Sequence, residues 1–163
     1  MANEEKEAGS REEQLVVFQL AEQTYGIGIA SVYEIIRMET ITRVPRTPDF
    51  VEGVINLRGK IIPVIDLCKR FNLEVSERTG ASRIIIVDVG GNTIGMIVDA
   101  VSEVLRVPAD SIEPPPPMIH GISAAYLRGI AILDSRLIIL LNLDKILYEQ
   151  EKSELNGFVL ETA

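Results

Sequence analysis

Apolar runs of five to seven residues, rich in Val, Ile and Leu, alternate along the chain with Gly, Pro, Asn and Asp, the punctuation of a β protein. The pattern predicts strands near 14–20, 24–28, 35–44, 52–57, 60–65, 83–89, 93–99, 102–107, 126–133 and 136–142. Short helices are expected at 31–35, 66–72 and 142–148, because Ser31, Asp66 and Asn142 are good N-cap residues. Residues 1–13 are charged and nearly free of large apolar groups, so they read as a flexible acidic tail. Residues 149–163 read as a second peripheral tail with room for a short helix.

The pattern repeats. "LVVFQLAEQTYGIGIASVYEIIR" (15–37) lies over "IIIVDVGGNTIGMIVDAVSEVLR" (84–106) without a gap, at a constant offset of 93 − 24 = 69. "GVINLRGKIIPVIDLCKRF" (53–71) lies over "GIAILDSRLIILLNLDKIL" (129–147) at 129 − 53 = 76. The extra seven residues, 76 − 69, fall to the proline-rich segment 107–125, whose run "PPPP" favours an extended, ladder-free connector. Two copies of one unit of about five strands and a short helix follow, each of a size at which a sheet curls into a small barrel. "RIIIVDV", "TIGMIV" and "RLIILLN" are apolar at consecutive positions, which implies cover on both faces. The expected architecture is therefore mainly β. Two pseudo-repeated five-stranded barrels pack on a shared apolar core, within one domain at 14–148. Its subdomains divide at about 14–81 and 82–148, allowing for exchange of strands.

Composition narrows the function classes. With 47% hydrophobic and 25% charged residues, the chain has enough apolar surface to fold without disulfides or a structural metal. The single Cys68 reads as a core thiol of a reducing compartment. A net charge of −8, with no Lys/Arg cluster, repels nucleic-acid phosphates and anionic headgroups. The start lacks a signal-peptide pattern and no run is long enough for a membrane helix, so a cytoplasmic protein without direct membrane insertion is expected.

Catalytic equipment is thin. His120 is the sole histidine and follows the proline run, where an exposed loop residue is the simpler reading. No phosphate-binding loop, dinucleotide fingerprint, C-x-x-C or nucleophile elbow is present. A carboxylate pair near Asp66 and Asp99, which end apolar strands while Asp88 lies inside one, is the rival that would make an enzyme; capping, turn and sheet-edge positions explain the same residues. A small-ligand barrel is a second rival and requires an enclosed cavity within one lobe. No cofactor or metal set is indicated.

The stretch "GVINLRGKIIPVIDL" (53–67) carries the sharper signal. Asn56 suits the first position of a type I turn and Gly59 the left-handed position after it, giving a three-residue loop with Leu57 and Arg58 at its tip. Leu57 recurs as Leu133, an architectural contact, whereas Arg58 is answered by Asp134 and is not demanded by the barrel. A solvated turn arginine and a guanidinium displayed to a partner's carboxylate both fit.

With "NLRGKIIPVIDL", "EQTYGIGIASVYEI" and "YLRGIAIL" in order over residues 14–148, the sequence resembles the CheW family of bacterial chemotaxis coupling proteins. The resemblance implies SH3-like barrels, no catalysis, and a scaffold at the inner face of the membrane. That scaffold would join cytoplasmic chemoreceptor tips to the regulatory domain of the histidine kinase CheA, with other copies of itself as further array neighbours. It also implies coupling determinants at Gly53, Arg58 and Gly59, accompanied by Val32 and Glu34, with Glu34 holding Arg58 by a charge-assisted bond. Met118, in "EPPPPMIHG", falls where the family touches a neighbouring kinase domain. A regulatory module for a different histidine kinase is the alternative within the same resemblance.

Overall fold

The computed structural model describes residues 11–75, 77–115 and 124–147. Met118 and His120 lie outside the described residues, as do most of both tails. Among the described residues eleven strands form two sheets. They are β1 (Glu12–Leu20), β2 (Gln23–Gly28), β3 (Val32–Arg37), β4 (Val51–Leu57), β5 (Lys60–Asp66), β6 (Arg83–Val89), β7 (Asn92–Val98), β8 (Ala100–Pro108), β9 (Ile112–Glu113), β10 (Leu127–Leu133) and β11 (Arg136–Leu141). One α-helical turn, α1 (Leu67–Arg70), follows β5 and is capped by Asp66, whose side chain accepts from Lys69 N.

The repeat survives residue by residue. Adding 76 to β4 gives the bounds of β10, and the bulge between Val51 and Gly53 recurs between Leu127 and Gly129. The sheets run β8-β1-β2-β11-β10-β9 and β3-β6-β7-β5-β4, so corresponding strands occupy corresponding places. Each sheet, however, draws on both halves of the chain. The hairpin β1–β2 joins β8, β10 and β11, while β6–β7 joins β3, β4 and β5. Strands are thus exchanged, and a cut at 81/82 does not separate the sheets.

Consecutive apolar positions have the expected cause. Ile84 and Ile86 point into a filling shared with Ile55, Leu57, Ile62, Val64 and Ile97 inside the second sheet. Their neighbours Ile85, Val87 and Val89 enter a larger core, with Phe18, Tyr25, Phe50 and Leu141, that draws on both sheets. Leu15 and Val17 likewise fill the first sheet, while Val16 and Phe18 face the shared core. Alternate side chains therefore serve two apolar regions, and neither strand face is left to water.

Three local expectations change. The segment 31–35 is not helical: a 3₁₀ turn at Ile29–Ser31 gives way to β3, because Val32, Tyr33, Ile35 and Ile36 favour pairing with β6. The strand drawn over 35–44 ends at Arg37, and only an isolated bridge from Thr42 to Val54 continues it. That bridge and β9, which the pattern had not marked, seal the free edges of β4 and β10. The helix drawn over 142–148 is a 3₁₀ turn at Leu143–Lys145, where Asn142 makes no side-chain cap bond.

Candidate functional site

The β4–β5 turn is tighter than its sequence suggests. Leu57 pairs with Lys60, leaving Arg58 and Gly59 as a two-residue loop with φ of 51° and 86°. Both central residues are left-handed, as in a type I′ hairpin, which matches strand twist better than the expected three-residue loop. Asn56 Oδ1 closes the turn by accepting from Gly59 N at 2.8 Å. Gly59 has open space around it and serves its φ, whereas Arg58 holds a conformation that costs an L-residue free energy. Leu57 is buried in the filling of its sheet, the architectural role its repetition implied.

Arg58 is aimed by Glu34. Nη1 donates to Oε1 at 3.2 Å and Nη2 donates to Oε2, a two-pronged pairing across the mouth of the sheet. The hydrogen bond to Glu34, followed by its charge, raises the guanidinium pKa further above its ordinary value, so the cation is permanent. Glu34 sits where β3 slips one residue against β6. Tyr33 is 63% exposed, on the same outward alternation of β3 as the partly exposed Ile35. A shallow depression of about 550 Å³ lined by Met38, Glu39, Thr40, Thr42 and Asn56 adjoins the turn. A fixed cation and exposed apolar side chains are the kinds of group that dock a protein partner.

Other expected residues sit elsewhere. Val32 is half-buried against the shared core. Gly53 has φ 144°, and a Cβ there would lie 2.1 Å from the Thr42 carbonyl oxygen. Its position is thus a close backbone approach that lets Thr42 seal β4, several residues from the tip. The exposure of Tyr33 and Ile35 was not read from the sequence, because the segment 31–35 was expected to be helical and its strand alternation was not drawn.

The carboxylates of the rival reading are each engaged structurally. Asp66 is buried, caps α1 and accepts from Arg78 Nη1 at 2.9 Å. Asp99 Oδ2 accepts from Ala21 N and Asp88 Oδ1 from Gly91 N, both at 2.9 Å. Burial, then the charges of Asp99 and Asp66, pushes the Cys68 thiol up to about 12, so it is not a nucleophile near neutral pH. Among the described residues no three His, Cys, Asp or Glu side chains are grouped to hold a metal ion. No helix among them is long and apolar enough to cross a membrane.

Comparison with known proteins places this geometry. The sequence model of the CheW-like domain matches residues 14–151. The chain belongs to the CheW-like family. The chemotaxis protein CheW of Klebsiella aerogenes is 36% identical over 139 residues, covering 85% of this chain and 84% of that protein. The CheW of Treponema pallidum is 36% identical over 146 residues, covering 87% and 86%. Among solved structures, the scaffolding protein TtCheW of Thermoanaerobacter tengcongensis superposes with a TM-score of 0.81 at 47% identity, over 86% of this chain and 96% of that one. The mainly β, two-sheet architecture is shared with that CheW-like relative.

Proposed function

We propose that this chain is a non-catalytic coupling scaffold of bacterial chemotaxis, joining the cytoplasmic tips of chemoreceptors to the regulatory domain of the histidine kinase CheA. Membership of the CheW-like family and relatives named as chemotaxis proteins support the adaptor role. The observation that carries the site assignment is Arg58, held in a costly left-handed turn, exposed and clamped by Glu34. Arg58, Gly59 and Glu34 form the docking tip; Val32 and Gly53 support it from within. Met118 is assigned a second kinase-side contact, as an adaptable apolar side chain after a stiff proline run.

The mechanism is mechanical. Stiff paired sheets keep the tip fixed relative to other surfaces, so a displacement of one partner reaches the other without chemistry. Interfaces of modest area gain strength from the multiplicity of an array at the inner face of the membrane. The test is a chemical-shift titration of the chain with a receptor-tip fragment and, separately, with the CheA regulatory domain. Both should bind, and Arg58→Ala, folded as the parent, should weaken at least one by about tenfold. Binding of neither partner by the parent chain would overturn the function; unchanged binding by Arg58→Ala would overturn the site.

A further inference from the structure

Among the described residues four hairpins turn through two-residue loops, closed by the pairs Leu20–Gln23, Leu57–Lys60, Val89–Asn92 and Leu133–Arg136. In three of them both loop residues are left-handed: Ala21 and Glu22 at φ 47° and 67°, Arg58 and Gly59 at 51° and 86°, Gly90 and Gly91 at 57° and 89°. In the fourth only Asp134 is, at 52°, and Ser135 is not. In each of the three a side-chain oxygen holds a loop amide. Asp99 Oδ2 accepts from Ala21 N at 2.9 Å, Asn56 Oδ1 from Gly59 N at 2.8 Å, and Asp88 Oδ1 from Gly91 N at 2.9 Å. The repeat mate of Asn56 in the fourth hairpin is Ile132, 132 − 56 = 76, whose side chain has no acceptor.

The fourth hairpin closes all the same, so the strands do not need the bond in order to pair. A held amide does something narrower. Type I′ and type II′ loops differ by a rotation of the peptide between their two residues, and a side chain bonded to that amide fixes one orientation. Asn56 is exposed, so its carboxamide fills no space in the core. The ion pairs beside the two mated loops differ accordingly. Glu103, the mate of Glu34 at 103 − 34 = 69, is met by Arg136 from β11 through one nitrogen at 3.4 Å. Glu34 is met by the loop residue Arg58 itself, through both nitrogens. We infer that Asn56 is a positioning residue of the coupling tip, its carboxamide fixing the loop from which Arg58 reaches Glu34. The consequence for affinity rests on the proposed coupling function: an arginine held in advance gives up less freedom on docking.

Two variants of the full chain test this. Asn56→Ile installs the residue of the other lobe, whose hairpin forms, and Asn56→Asp installs the acceptor type that Asp88 uses. The guanidinium signals of Arg58 should report pairing with Glu34 in the parent and in Asn56→Asp, and should average in Asn56→Ile as they do in Glu34→Gln. Asn56→Ile should also weaken, by about fivefold, whichever partner Arg58→Ala weakens, as the loss of one neutral hydrogen bond would, while Asn56→Asp should not. Should Asn56→Ile fail to fold, Asn56→Ala gives the same readings. Pairing retained without the carboxamide would overturn the inference; a fall in affinity alongside it would make Asn56 a contact residue instead. Equal losses in Asn56→Ile and Asn56→Asp would overturn it too, since the acceptor would then not be what matters. If Arg58→Ala left both partners bound as before, the coupling site would fall, and the pairing signals would still decide for or against Asn56.

Discussion

Arg70 donates from Nε to the carbonyl of Ile146, and the two residues hold the same place in the two halves of the chain, 146 − 70 = 76. Its guanidinium also lies 4.6 Å from the ring centre of Phe50 and 5.4 Å from that of Tyr126, themselves mates at 126 − 50 = 76. One asymmetric cation therefore fastens the pseudo-symmetric seam, and it does so from the helical turn next to the exchanged strands.

That placement makes Arg70 a stability determinant. Arg70→Ala should lower stability by about 2 kcal/mol, since it removes partly desolvated cation–π contacts and a charge-assisted hydrogen bond together. Arg70→Lys should recover less than half, because an ammonium cannot lie flat between two rings while donating sideways. Urea unfolding at constant m-value reads both; a neutral Arg70→Ala would show the seam to be held by the apolar core alone.

The β1–β2 turn carries unrelieved strain that its repeat mate lacks. Ala21 and Glu22 have φ of 47° and 67°, while the mates Gly90 and Gly91, 90 − 21 = 69, adopt 57° and 89° without a Cβ. Glu22→Gly should therefore stabilise the fold by about 0.5–1 kcal/mol, the left-handed penalty outweighing the added freedom of the unfolded chain. Gly91→Ala should do the reverse. A lower urea midpoint for Glu22→Gly would mean that Glu22 makes a compensating contact.

Most of the framework was legible because it is periodic. Strands, the two offsets and the double apolar cover follow from positions that recur, and Leu57 was separable from Arg58 because only one of them has a like mate. The strand exchange was a different matter: self-similarity says which segments are alike, not which copy pairs with which. At the tip, a type I turn with a bulge and a type I′ turn both place Gly59 left-handed and differ at Arg58, a residue type that signals neither. The slip of β3 against β6 and the irregular path after Arg37 were hidden for a shared reason. A glycine-free bulge and an irregular loop have no period to read.

The thiol of Cys68 gives a pH dependence of known sign. Folded, it keeps its proton up to about 12, mainly through burial; unfolded, it releases it near 9. Between those values the unfolded chain binds fewer protons, so rising pH favours unfolding. The contribution is complete below about pH 9 and is lost on the way to about 12. Tyr25, raised by burial and by Cys68, adds in the same direction at higher pH. Cys68→Ala should cost about 1 kcal/mol near neutrality from lost packing. It should also show a shallower decline of urea midpoint into the alkaline range than the parent, and parallel declines would remove the thiol from the account.

Gly53 and Arg58 should fail for opposite reasons. A Cβ at Gly53 would sit 2.1 Å from the Thr42 oxygen and 2.7 Å from its carbonyl carbon, at a φ of 144°. Gly53→Ala should thus cost about 3 kcal/mol or more by prising Thr42 off β4, and any loss of partner binding would follow the loss of fold. Its mate Gly129, where a Cβ would lie 2.6 Å from the Glu113 oxygen, should behave alike although it belongs to no proposed docking surface. Arg58→Asn, by contrast, keeps a side chain that tolerates the left-handed turn and removes the cation, so it should unfold at a higher urea concentration than the parent while binding partner more weakly. Stability and affinity measured on the same preparations separate the two behaviours. A Gly53→Ala chain as stable as the parent yet unable to bind would make Gly53 a contact residue rather than part of the wall.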